Sequence, residues 1–198
     1  ETRQSAHLKV KGSFWSDLLV PTIRHPRFLT VVAPIAPWVF GASGVSYAIM
    51  PRLVQGQVET PVAFSAMLTV ICLASGFAIQ QFGPQINTSY NARGPIIALL
   101  LVIVGMAIAS AAASNITVWN TIVVAIVLGA AYGLSLISGL TEVQRIAGPN
   151  DLAGLTAAYY TLTYIGFFFP MILTRLSEWF SYPVMLGAGV VVAVVFLV

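Results

Sequence analysis

The chain has 198 residues, a formal net charge of +3, 58% hydrophobic residues and only 8% charged ones. A water-soluble domain carries about 25% charged residues, and a fold of this length has too little interior to hide so much apolar surface, so a soluble enzyme or binding domain is excluded. The apolar stretches are continuous runs without the in-out alternation of barrel strands, which leaves α-helices as the only element able to satisfy its backbone groups in lipid.

Residues 1–12 are polar and basic and read as a cytoplasmic linker. Within 13–26, Phe14, Trp15, Leu18 and Leu19 recur at helical spacing with Asp17 opposite, which predicts a short amphipathic helix lying on the membrane surface and ended by Pro21 and Pro26. Beyond it the charged residues cut the chain into blocks. Nothing charged lies between Arg27 and Arg52, Glu59 and Arg93, Arg93 and Glu142, Asp151 and Arg175, or after Glu178. A spanning helix needs about 20 mostly apolar residues. The third block is long enough for two, divided by the polar turn residues at 114–117. Six spans are therefore predicted over 27–198, at 28–50, 61–82, 95–113, 116–140, 152–174 and 182–198. The first is preceded by too long a basic stretch, and its apolar core is too long, to be a cleavable signal peptide.

With the amino end in the cytoplasm, that side receives Arg3, Lys9, Lys11, Arg24, Arg27, Arg93 and Arg145, and the other side only Arg52 and Arg175, as the positive-inside rule requires. The basic balance then belongs to rims beside anionic lipid. No basic-aromatic pattern points to nucleic acid. The single cysteine, Cys72, lies mid-span and the two histidines, His7 and His25, precede the first span, so neither a disulfide framework nor a metal site is expected, and no cofactor. The chain starts at Glu1 and stops inside an apolar run, and is expected to be a piece of a longer protein.

The spans fall into two triples. In each, the first two members carry the aromatic and hydroxyl residues and the third is bland, which predicts two three-helix repeats of the kind seen in secondary transporters, with the bland members facing lipid. The fourth span places Thr121, Ala125, Leu128, Tyr132, Ser135 and Gly139 on one stripe, with Gly129 and Gly133 beside it as a close-approach motif. In the fifth, Tyr160, Thr163, Phe167 and Pro170 share a face, and Pro170 is expected to kink the helix. The first adds Trp38 and, toward its far end, Ser43, Ser46 and Tyr47.

An ETR tripeptide and basic linker leading through an amphipathic helix to RHPRF, and the later stretch LTEVQRIAGPNDLAGLTAAYYTLTYIGFFFP, resemble the carboxyl-terminal six-helix half of a major facilitator superfamily transporter with the end of its central linker. That family's loop signature is G-x-x-x-D-[RK]-x-G-[RK]-[RK]. The matching place here keeps Gly76 and Gly83 but has Gln80 at the acidic position and Gln81, Pro84 and Gln85 at the basic ones, which removes the charges of a salt-bridge latch on this copy. The resemblance implies a bacterial cytoplasmic-membrane permease, and an amino-terminal six-helix half, lipid and a small-molecule substrate as partners. It also implies transport or efflux of a small organic solute by alternating access, with first and fourth spans lining the cavity. Trp38, Tyr47, Tyr132, Ser135, Tyr160 and Thr163 are then the candidate substrate contacts, against helix packing as the plain alternative. Gly76, Gln80, Gly83, Arg93, Glu142 and Arg145 are the candidate cytoplasmic gate. Glu142 and Arg145 share a helical face and can pair with each other, with Arg93 or with Asp151, either as a gate or as an exposed interfacial pair worth about 0 to 1 kcal/mol.

No ionisable residue is placed deep in any predicted span, where such residues carry protons or counter-ions. Either a coupled parent titrates in its other half, or the parent is a uniporter. The Gly41-Ala-Ser43-Gly44 match to intramembrane serine proteases fails, because the serine has no histidine on a later span to activate it; no enzyme activity is expected. The sequons at Asn87 and Asn115 read as chance. The competing function is a six-helix structural or regulatory membrane domain without transport of its own, and an isolated half is expected to self-associate through its open wall.

Overall fold

A computed structural model describes residues 21–88, 91–149 and 151–197. The linker and most of the expected interfacial helix lie outside them; Pro21–Arg24 forms a single 3-10 turn. Among the described residues the chain is helical throughout, in six long apolar helices: α1 (Phe28–Gln57), α2 (Pro61–Gln80), α3 (Arg93–Ser114), α4 (Val118–Ile146), α5 (Leu152–Leu176) and α6 (Tyr182–Leu197). The first five are long and apolar enough to cross a membrane, and α6 has 16 residues. The chain is an integral membrane protein of the all-α class.

Local chemistry sets the helix ends. Pro61 opens α2, where its missing N–H leaves no helical bond unmade. Thr117 caps α4 by accepting the Asn120 amide at 3.2 Å, and Asn91 Oδ1 accepts the Arg93 amide at 3.1 Å at the start of α3, both in the manner of helix amino-terminal caps. The interval between Ser114 and Val118 is the turn that the polar stretch predicts. Two helices run further than expected: α1 by seven residues and α4 by six, which brings Glu142 and Arg145 onto α4.

Prolines shape the two helices that carry aromatic residues. Each of two π-turns in α1, Phe28–Val32 and Val45–Ile49, ends two residues before a proline, Pro34 or Pro51. A wider turn lets the ring pass the carbonyl it would otherwise strike. In α5 the helical ladder breaks at Gly166 and Phe167, because Pro170 cannot donate to Gly166. The Phe169 amide takes that carbonyl instead, at 3.1 Å. The helical ladder is thus interrupted where Pro170 is expected to disturb it.

Helices α1 and α4 are the most enclosed. α4 packs against α1, α2 and α3; α5 packs on α1, and α6 on α3. The main apolar cluster joins α1, α3, α4 and α6 through Ile35, Trp38, Ile49, Met106, Leu128 and Leu186. The bland helix α3 is therefore sandwiched between α4 and α6, with Ala98, Gly105 and Ala109 buried, and only its outer edge, including Leu100 and Val104, is left exposed. Gly129 and Gly133 are where the backbones of α2 and α4 touch: a Cβ on either would strike the backbone of Cys72 or Gly76. Gly166 meets the α1 backbone at Pro37 and Gly41 in the same way.

The cross-chain polar contacts sort into two ends. Glu142, Arg27, Arg145, Thr88 and Asn91 meet at one, and Arg52 with Thr174, Gln57 with Ile116 and Ser110 with Pro183 at the other, as helices that run alternately up and down the bundle require. Cysteines placed singly at Gln85 and Gln55, both exposed, in a Cys72→Ala background should therefore react with an impermeant thiol reagent from opposite faces of the membrane. Labelling of both from one face would overturn this topology.

Candidate functional site

Two clusters stand out, one at the end of the bundle and one along its side. At the end, Glu142 on α4 is only 1% exposed. Arg27, just ahead of α1, donates to it through Nε at 2.5 Å and Nη2 at 3.3 Å, and Arg145, one turn on along α4, through Nη1 at 2.8 Å. The carboxylate hydrogen bond also pushes the Arg27 guanidinium above its ordinary value. Arg145 goes on to donate to the carbonyls of Asn91, at 3.1 Å, and Thr88 in the α2–α3 loop. Nearby, the Thr22 hydroxyl donates to Asp151.

This arrangement corrects the reading of Glu142 as half of an exposed pair. The acid is buried and shared by two guanidinium groups. Its partners are Arg27 and Arg145, not Arg93 or Asp151; Arg93 is exposed and makes no ion pair among the described residues. Arg27 was visible in the sequence but counted only toward the positive rim, and nothing in the sequence brings it within reach of a residue 115 positions away. The α2–α3 loop, which carries no charged residue between Gln80 and Arg93, is held through its backbone carbonyls. Of the other gate candidates, Gln80 is the half-buried last residue of α2, Gly83 is buried against Ile137, and Gly76 lies under Tyr132 within the α2–α4 contact.

Along the side runs an aromatic ladder that crosses three helices. Phe40 of α1 stacks on Phe167 of α5 at 4.2 Å between ring centroids, and on Tyr164 at 5.5 Å with the rings nearly parallel. Tyr132 of α4 lies 6.2 Å from Phe40, and Tyr160 continues the row 6.4 Å from Tyr164. The break at Gly166 and Phe167 and the close approach of Gly166 to α1 put Phe167 in register with Phe40. Tyr164 and Phe167 are about half exposed, at 53% and 48%.

Of the predicted substrate contacts, Tyr132 and Tyr160 belong to this ladder and Tyr47 lies half-buried on α1. Ser135 is buried, with a hydroxyl that has no hydrogen-bond partner among the described residues. Thr163 is buried too and spends its hydroxyl on the Tyr160 carbonyl at 2.8 Å. Trp38 stands apart: it is 2% exposed, packs edge-on against Phe169 at 5.5 Å, and lines an apolar cavity of about 200 Å³ with Met106, Met185 and Gly189 on the α3 and α6 side. The π-turns and prolines of α1 decide which of its aromatic residues faces which way. Sequence reading missed Phe40 and Tyr164, because both are ordinary span aromatics with no distinguishing neighbour. It also passed over Tyr159, fully buried, whose hydroxyl donates to the Ser135 carbonyl at 3.0 Å.

Comparison of the chain with protein-family models, with curated proteins and with solved structures gives no match.

Proposed function

We propose that the chain is one six-helix half of a secondary transporter for a small organic solute, working by alternating access against a second half that docks on the face carrying the aromatic ladder. The observation that carries this reading is that ladder: Tyr132, Phe40, Tyr160, Tyr164 and Phe167 form one partly exposed surface over three helices. A solute cavity is mostly apolar with a few placed polar groups, and stacked tyrosines supply both. The resemblance to the carboxyl-terminal half of a major facilitator superfamily permease agrees with it, because the enclosed helices α1 and α4 hold the positions that line the cavity in that family. On the same reading, the Glu142 cluster joins the start of α1, the end of α4 and the α2–α3 loop at the cytoplasmic end, where opening of the cavity would have to part them.

The test is ligand affinity in the intact transporter. Tyr132→Ala and Tyr160→Ala should each weaken solute binding about tenfold, on the order of 1.4 kcal/mol. Leu100→Ala, on the exposed edge of α3 outside the ladder, should leave it within twofold. Equal effects at all three positions in well-folded protein would refute the site.

A further inference from the structure

Following the aromatic ladder toward the end of the bundle opposite Glu142 leads to a second chemistry. On a regular α-helix Phe40 and Ala48 would stand about 80° apart, but the π-turn Val45–Ile49 absorbs one residue and returns them to nearly one face. From Gly41 to Ser46 every residue of α1 is buried; Phe40, Tyr47, Ala48 and Arg52 form its open edge. The open edge of α5 runs in parallel through Tyr164, Phe167, Met171 and Arg175. Between the two edges lies a groove of about 490 Å³ lined by Ala48, Arg52, Met171, Thr174, Arg175 and Glu178. Arg52 and Arg175 thus open onto a single groove, and the stacked rings Phe40 on α1 and Tyr164 and Phe167 on α5 stand earlier along the same two edges.

We infer that Arg52 and Arg175 form an anion site at the outer mouth of the aromatic face, and that the solute carries an acidic group, a carboxylate, sulfonate or phosphate, on an aromatic or apolar body. This rests on the transporter reading of that face and adds the charge of the substrate. The chemistry fits the residues. Arg52 donates one Nη1 hydrogen to Thr174 Oγ1 at 3.2 Å, which holds the guanidinium over the groove and, among the described residues, leaves the rest of its planar fork, suited to a bidentate oxyanion, unspent. Arg175 pairs with Glu178 one turn away and lies over the Trp179 ring at 5.6 Å. Both members of that pair are exposed, so it contributes little and exchanges readily for a ligand oxyanion. The groove keeps a net charge of +1 from two arginines and one glutamate. Stacking on Tyr164 and Phe167 would hold the body of the same molecule, so charge and rings select together.

An anionic lipid headgroup offers the same chemistry as an anionic solute, so the test carries both. The intact protein is placed in phosphatidylcholine nanodiscs and titrated with naphthalene-2-sulfonate and with its neutral counterpart naphthalene-2-sulfonamide, empty discs being subtracted. The sulfonate should bind at least tenfold more tightly. Arg52→Gln with Arg175→Gln should abolish that preference while leaving sulfonamide binding intact, and Arg52→Lys with Arg175→Lys, the safer variant for folding, should keep the part due to charge and lose the part due to the bidentate fork. Tyr160→Ala should weaken both probes alike. Equal affinity for the two probes, or a preference that survives the glutamine variants, would overturn the anion site and leave the aromatic site standing. Failure of both probes to bind, or indifference of both to Tyr160→Ala, would overturn the aromatic site as well. Discs containing phosphatidylglycerol should change sulfonate affinity less than twofold; a tenfold loss there, absent from the glutamine variant, would assign the arginines to lipid and overturn the solute reading.

Discussion

Replacing Arg27 and Arg145 together by methionine is expected to destabilise the chain by about 3–5 kcal/mol, the cost of leaving a buried charge without its partners. The reason is asymmetry of burial: the Glu142 carboxylate is 1% exposed, while the side chains of its two arginines keep 29% and 21% of their surface in contact with solvent. Removing the acid strands two groups that can still be hydrated, and removing the bases strands one that cannot. Glu142→Gln, which keeps the shape and loses the charge, should therefore cost less, about 1–3 kcal/mol. The triple variant with Arg27→Met, Glu142→Leu and Arg145→Met should recover much of the loss, because apolar groups of similar volume carry no desolvation cost. Thermal melting in detergent orders these variants, and a double methionine variant no less stable than Glu142→Gln would show that the cluster is not held together by the buried charge. The triple variant has a second use. If the cluster is also the cytoplasmic gate, restored stability should come without restored transport.

A second large effect is expected at Gly133. Its Cβ position is occupied by the carbonyl of Gly76, and that of Gly129 by the backbone of Cys72. An obstacle made of backbone cannot swing aside, so even Gly133→Ala has to push α2 and α4 apart, at about 3 kcal/mol, a fall in melting temperature of about 10 °C for a chain of this size. Gly187 supplies the contrast. A Cβ there meets only Ser110 Oγ at an ordinary 3.6 Å, and Gly187→Ala on α6 should be neutral or slightly stabilising through the backbone freedom it removes from the unfolded chain. Similar melting temperatures for the two variants would mean that α2 and α4 are not in backbone contact. Because Tyr132 rests on Gly76 across the same seam, parting the helices should also weaken solute binding, a loss that follows from displacement of the ladder and is larger than the stability change alone explains.

Number, kind and rough extent of the helices were legible in the sequence because they depend on local quantities: the length of each uncharged run against the thickness of a bilayer, the polar turn before Val118, and the hydrogen bond that Pro170 cannot make. The close contact through Gly129 and Gly133 was legible as a motif, though not the identity of α2 as the partner. What the sequence did not determine is which side of a helix meets which neighbour. In a lipid-facing protein both faces of a span are apolar, so hydropathy does not distinguish the buried Trp38 from the exposed Phe167, and two π-turns in α1 shift the helical register on which any stripe is drawn. Ionic partners were equally out of reach. Arg27 and Glu142 are joined only because the start of α1 packs beside the end of α4, and Arg52 and Arg175 share a groove only because α5 packs along α1. Composition and local bonding settled the elements of this protein. The surfaces on which it can bind anything exist only once those helices are packed, because each is assembled from residues that are neighbours in space and strangers in sequence.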